Sequence, residues 1–188
     1  MTDEKLFPEF PVLSTDRLLL RQLVPSDAQD VFEYACVPEV SDFLIWAPHS
    51  KIEDSLDFIC FAQEQFESSK SFIWGIELKS DKKLIGTIDL RDSNSPHRCG
   101  DVGYVISKNY WNKGIITEAF RELIRFGFSE LNLNRIEAHC EAENTGSWKV
   151  MEKSGLKFEG VLREKVFFKE RYHTMKMYSI LRKDWINQ

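Results

Sequence analysis

Asp101-Val-Gly-Tyr-Val-Ile-Ser-Lys-Asn-Tyr-Trp-Asn-Lys-Gly-Ile-Ile-Thr-Glu-Ala119 is the stretch on which the reading of this chain turns. A strand ends at Ile106, a short polar turn follows, and Asn112-Lys113-Gly114-Ile115 leads into a helix. From Gly114 to Glu130 the residues Ile116, Ala119, Phe120, Leu123, Ile124, Gly127 and Phe128 recur at the spacing of an amphipathic helix. A glycine at the helix start lets a ligand approach the backbone closely, and the unpaired N–H groups of the first turn form an anion site. Lys113 adds a cation beside it. Neither the Walker pattern GxxxxGK(S/T) nor the dinucleotide pattern GxGxxG is present. Taken alone, one glycine before a helix is equally a plain helix start.

Working outward, Arg17 to Leu23 alternates partly as a strand, and Pro25-Ser26-Asp27 opens a helix carrying Ala28, Val31, Phe32 and Ala35. Phe43 to Pro48 is an aromatic loop, and a second helix runs from about Ile52 to Phe66. Ser71 to Lys79 and Lys82 to Arg91 form a hairpin around Ser80-Asp81, and Asn94 to His97 form a loop. Strands follow at Cys99 to Ile106 and Arg135 to Glu141, then a helix over Asn144 to Ser154 closed by Gly155. Val161 to Phe168 and His173 to Leu181 read as a final hairpin. The order β-α-α-β-β-β-α-β-α-β-β predicts a mixed α/β (α+β) sheet, mostly antiparallel, of about seven strands flanked by four helices. Its strand–helix–strand unit implies one parallel pair with a right-handed crossover.

The chain has 188 residues, which points to a single domain over 1–188. Hydrophobic residues make up 43% and charged residues 29%, ordinary globular usage that excludes disorder. No apolar run is long enough for a transmembrane helix, and Met1 to Phe10 lacks the apolar core of a signal peptide, so a cytoplasmic location is expected. With 25 basic and 30 acidic residues the net charge is −5, which argues against nucleic-acid or anionic-membrane partners. Cys36, Cys60, Cys99 and Cys140 contain no CxxC pair, so no metal centre or dithiol chemistry is expected.

Tyr110-Trp-Asn-Lys-Gly-Ile-Ile-Thr-Glu-Ala119 resembles the acyl-CoA pyrophosphate loop of the GNAT acetyltransferases, Arg/Gln-x-x-Gly-x-Gly/Ala. Further stretches resemble its Rim-type branch, the ribosomal-protein N-terminal (alanine/serine) acetyltransferases. They are Thr15-Asp-Arg-Leu-Leu-Leu-Arg21, Leu84-Ile-Gly-Thr-Ile88, Asn134-Arg-Ile-Glu-Ala138, Asn144-x-x-Ser147 and Met151-Glu-Lys-Ser-Gly-Leu-Lys-Phe-Glu-Gly160. The resemblance implies a GNAT core over about residues 14–182. Two positions depart from the loop pattern: Trp111 stands where Arg or Gln is usual, and Ile116 stands at the second small position, where it is expected to crowd the turn.

The resemblance implies an acetyl-CoA-dependent N-acetyltransferase in which a primary amine attacks the thioester directly. The acceptor it implies is the N-terminal amine of a ribosomal or other protein. A small amine such as an antibiotic or polyamine, and a non-catalytic acyl-CoA sensor, are the alternatives. Asn112, Lys113, Gly114, Ile115, Ile116 and Thr117 would hold the cofactor's pyrophosphate, and Asn144 its pantetheine arm. A backbone N–H of Val105 or Ile106 would polarise the thioester carbonyl. Ser147 would protonate the leaving thiolate, although Asn144 and Ser147 also suit a helix cap and first turn. For the base, Asp101 and Glu137 are the candidates, acting through water, with His139 as a competitor. Glu137, His139 and Glu141 share one face of their strand, which suggests a wet cleft there. Phe43 and Trp46 would wall the acceptor site, although a loop Trp beside Pro is also an ordinary core plug. Monomer and homodimer are both compatible with these features.

Overall fold

The computed structural model describes residues 7–186 except Asp92, Asn94 and Ser95. The amino-terminal stretch to Leu6 and part of the expected 94–97 loop therefore lie outside the described residues. The strands are β1 (Leu13–Ser14), β2 (Leu18–Gln22), β3 (Ser71–Leu78), β4 (Lys83–Arg91), β5 (Cys99–Ile106), β6 (Arg135–Glu141), β7 (Lys157–Phe168) and β8 (Arg171–Leu181). The helices are α1 (Ala28–Ala35), α2 (Pro38–Ser41), α3 (Ile52–Glu67), α4 (Ile115–Ser129), α5 (Thr145–Lys153) and α6 (Arg182–Ile186). All eight strands form one sheet in the order β1-β2-β3-β4-β5-β6-β8-β7, antiparallel except for β5 and β6.

Among the described residues, one strand and two helices exceed the number expected. β1 is a two-residue rung on β2, and α2 and α6 have four and five residues, too few to carry a periodic signal. β7 begins four residues earlier than its apolar pattern because its first residues are exposed on an edge strand. The turn joining it to β8 is Lys169-Glu170, both with positive φ.

Two apolar layers hold the helices to the sheet. α4 seats Ile116, Phe120, Leu123 and Ile124 against Leu20, Ile88, Val102 and Ile136. Trp74 is at the centre of this layer, packed on Phe72 and Phe126, and its indole N–H donates to the Pro11 carbonyl at 2.7 Å. On the opposite face α1 and α3 cover Leu23, Ile73 and Leu84 with Val31, Tyr34, Ile59 and Ala62. Burying side chains of this size contributes roughly 1.5–3 kcal/mol each.

The feature that makes a site is a split in the sheet. β5 and β6 pair over only three rungs, Cys99 with Arg135, Gly100 with Ile136 and Asp101 with Glu137. Beyond them β5 stays with β4 as far as Ile106, while β6 stays with β8 as far as Glu141. Strand twist carries the two halves apart, leaving a V between them.

Candidate active site

The amides on the two sides of the V follow from strand alternation. Ser107 N–H donates to Ile85 O at 2.8 Å, so Val105 and Gly103, at the same parity, turn their amides toward β4. The amides of Tyr104 and Ile106 face the gap instead. Of the two amides expected for thioester polarisation, the register therefore presents Ile106's, while Val105 packs its side chain on the α1–α3 layer.

The turn after β5 is pinned from both ends. Trp111 donates its indole N–H to Ile106 O at 3.0 Å, and Lys113 Nζ lies 5.0 Å from the centre of the Tyr110 ring. Asn112 (φ +61°) and Gly114 (φ +73°) flank Lys113 in the left-handed region, which curls the loop into the α4 amino terminus. Ile116 is 6% exposed and faces the core with Ile115, so it does not crowd the turn as its residue type suggested. Helical geometry sends the side chain toward the sheet while the amide stays on the axis.

Arg17 holds this loop from a distant part of the chain. Its Nε donates to Glu118 Oε2 at 2.6 Å and its Nη1 to Lys113 O at 3.1 Å. Burial works against charge on Glu118, but the Thr15 hydroxyl and the Arg17 amide and guanidinium outweigh it and hold the carboxyl below its ordinary range. Here the Thr15-to-Arg21 motif meets the loop motif; sequence spacing gave no sign of that contact.

Across the V, Asn144 caps α5 by accepting from Ser147 N at 3.1 Å. Tyr104 OH lies 2.9 Å from both the carbonyl and the hydroxyl oxygen of Ser147, bridging β5 to α5. Burial pushes the Tyr104 phenol up, so it keeps its proton, donates to the Ser147 carbonyl and can accept from its hydroxyl. In the sequence Tyr104 reads as an ordinary inward strand position, so nothing local marks this contact.

The face opposite α4 carries the charges. Asp101 and Glu137, the two carboxylates named as base candidates, lie side by side in register, but both are engaged. Arg91 Nη2 reaches Asp101 Oδ2 at 2.8 Å, and Arg135 Nε reaches Glu137 Oε2 at 2.8 Å. Arg135 also forks onto Glu159 at 2.6 and 2.7 Å and, with Ser179, holds that carboxyl down at about 2. His139 Nδ1 stands 3.5 Å from Asp101 Oδ1. Asp89, on β4, shares Arg91 at 3.1 Å, and burial raises its carboxyl, with Arg91 opposing and Asp101 adding. A Cβ on Gly103 would meet Asp89 Oδ2 at 2.8 Å, so the glycine makes room for that carboxylate.

α2 closes this face. Glu39 on α2 takes Lys108 Nζ, from the turn after β5, at 2.8 Å, and Ser41 O takes Lys169 Nζ, from the β7–β8 tip, at 2.8 Å. The 42–51 segment follows directly. Phe43 is exposed, while Trp46 packs on the α1–α3 layer and lies 5.6 Å from the His49 ring.

Residues 17–157 match the family model described as "Acetyltransferase (GNAT) domain". The chain belongs to the GNAT acetyltransferase family. It is 32% identical over 173 residues to "Uncharacterized N-acetyltransferase YoaA" of Bacillus subtilis (strain 168), covering 92% of this chain and 98% of the relative. It is 37% identical over 113 residues to "Putative ribosomal N-acetyltransferase YdaF" of the same organism, covering 59% of this chain and 62% of the relative. A solved GNAT-family acetyltransferase from Bacillus anthracis superposes with a TM-score of 0.82 at 26% identity, over 92% of this chain and 99% of that one. This acetyltransferase uses acetyl-CoA to acetylate an amine nitrogen, as its family does. Among the described residues no helix is long and apolar enough to cross a membrane.

Proposed function

We propose that this acetyltransferase, acting as one cytoplasmic domain, acetylates the N-terminal amine of a ribosomal or other protein. The observation that carries the reading is the charge balance of the face beside the V. Arg91 and Arg135 offset two of the four charges that Asp89, Asp101, Glu137 and Glu159 supply, leaving two, enough to attract an ammonium but fewer than a polycation such as spermidine carries. The partial likeness to the relative named for ribosomal N-acetylation supports the same choice. An α-amine is also the easier nucleophile. At about pH 7.5 roughly a third of it is unprotonated, against roughly a thousandth of a lysine-type amine.

In this reading the amides of the 112–117 loop, with Lys113 and Gly114, hold the pyrophosphate of acetyl-CoA, and Asn144 contacts its pantetheine arm. The thioester carbonyl lies at the Ile106 amide, and the acceptor enters between the acidic face and the 42–51 segment carrying Phe43 and Trp46. The amine attacks directly, and Asp101 with Glu137 sets the electrostatics that draw it in. The test is thiol release from acetyl-CoA with N-terminal peptides, spermidine and an aminoglycoside, with the acetylated atom located by mass spectrometry. The highest kcat/KM on a peptide Nα is expected. A polyamine or antibiotic acetylated faster overturns the acceptor assignment, and CoA binding without turnover on any amine indicates a sensor.

Ser147→Ala should lower kcat about tenfold and leave acetyl-CoA affinity within about twofold. That is below the usual 10²–10⁴ for a general acid, because the CoA thiolate is already a good leaving group. A kcat within twofold of the parent would reduce Ser147 to a first-turn helix residue. Arg17→Met should raise the acetyl-CoA Kd about three- to tenfold with kcat little changed, since it releases Lys113 O and takes the guanidinium away from Glu118 Oε2. Unchanged calorimetric affinity would remove Arg17 from the loop's support.

A further inference from the structure

We infer that His139 takes the proton from the acceptor's ammonium and that Asp101 is its positioning residue. The inference deepens the proposed function and rests on its placement of the acceptor beside the V. Asp101 and Glu137 form the last rung between β5 and β6, and the next positions on the same face are Gly103 and His139. There the strands have parted and Gly103 contributes no side chain, so the imidazole stands at the mouth of the V. Its side chain is 34% exposed, which leaves it within reach of a substrate. With Nδ1 turned toward Asp101 Oδ1 at 3.5 Å, the tautomer favoured by that carboxylate carries its proton on Nδ1 and a lone pair on Nε2.

The carboxylates are poorer acceptors for geometric reasons. Asp101 Oδ2 and Glu137 Oε2 each face an arginine at 2.8 Å, so these oxygens already accept from a guanidinium and are not turned toward an incoming ammonium. Asp89 Oδ1 is shut off from solvent, and that atom has Arg91 Nε at 3.1 Å. The charged and titratable groups around His139 are Asp89 and Arg91 from β4, Asp101 from β5, and Glu137 and Glu141 from β6. His173 and Arg171 of β8 lie against Glu141 at 3.1 and 3.6 Å.

The step balances without a co-reactant. One N–H bond of the ammonium breaks and the proton forms a new bond at Nε2, giving imidazolium and neutral amine. The amine attacks the thioester carbon and the C–S bond breaks. The thiolate takes the Ser147 proton, and the attacking nitrogen's second proton restores that hydroxyl. The imidazolium returns its proton to water on its exposed side.

His139→Gln and Asp101→Asn test the pair, with two acceptors: the peptide amine the parent acetylates fastest, and the same peptide bearing an aminooxy group, which is already neutral at about pH 7. For His139→Gln a fall in kcat/KM of about 10²-fold is expected at about pH 7 on the ordinary amine, recovering above about pH 9. On the aminooxy peptide the loss should shrink to about threefold. Asp101→Asn should show the same pattern at about tenfold. Equal losses on both acceptors at every pH would mean a structural role and overturn the inference, as would a wild-type pH profile in His139→Gln. If the parent prefers a small amine, that amine and its aminooxy analogue replace the peptides, so the N-terminal reading can fail while the base assignment is still decided. Absence of turnover with every amine overturns both.

Discussion

Gly86→Ala is expected to lose about 10²-fold in kcat and to melt roughly 2–12 °C below the parent. A Cβ built on Gly86 would lie 2.3 Å from Val105 O and 2.9 Å from Ile106 Cα. Both are backbone atoms of the neighbouring strand, so no side-chain rotation relieves the contact. Overpacking of this kind costs about 1–3 kcal/mol and in this case can be relieved only by moving the end of β5. That end carries the Ile106 amide proposed to face the thioester, and a displacement near 1 Å is enough for a 10²-fold loss. Thermal unfolding and single-turnover acetylation measured on the same preparation check both parts. A parent-like kcat with a lowered Tm would show that the Ile106 amide plays no part in turnover.

Gly114→Val should raise the acetyl-CoA Kd at least tenfold, about 1.4 kcal/mol, and lower stability by about 1–2 kcal/mol. The protein itself offers no clash, since the nearest atom to a Cβ there is Arg17 Nη2 at 3.7 Å. The cost has two other sources. A φ of +73° is a conformation that β-branched residues avoid, and the new methyl groups stand where the ligand would approach the first-turn amides. Gly114→Ala separates them, because it keeps most of the strain with less bulk. Calorimetric affinity for CoA, measured on folded variants, decides the matter. Unchanged affinity in folded Gly114→Val would move the pyrophosphate site away from this loop.

The two glycines differ in how far the sequence explained them. Gly114 was readable, because a glycine at the junction of a polar turn and a strongly periodic helix has a local reason to exist. Gly86 was visible only as part of a motif. Its reason is the carbonyl of a strand nearly twenty residues further along, brought within van der Waals range by antiparallel pairing. His139 and Asp101 show the same divide. Alternation along Arg135 to Glu141 put the polar residues on one face, but strand periodicity does not say that β5 and β6 separate after a single shared polar rung.

What the sequence determined by itself is whatever depends on neighbours along the chain. The periodicity of α4, the cap of α5 at Asn144, the alternation of β6 and the left-handed Gly155 are local backbone and side-chain preferences, and the structure holds each at the position its local sequence implies. The tertiary structure decided whatever depends on register between distant strands. It tied Arg17 to Lys113 and Glu118, set Tyr104 against Ser147, and committed Asp101 and Glu137 to Arg91 and Arg135. Side chains of like type are interchangeable along a sequence. Only pairing, twist and the split between β5 and β6 determine which carboxylate meets an arginine and which imidazole is left facing the gap.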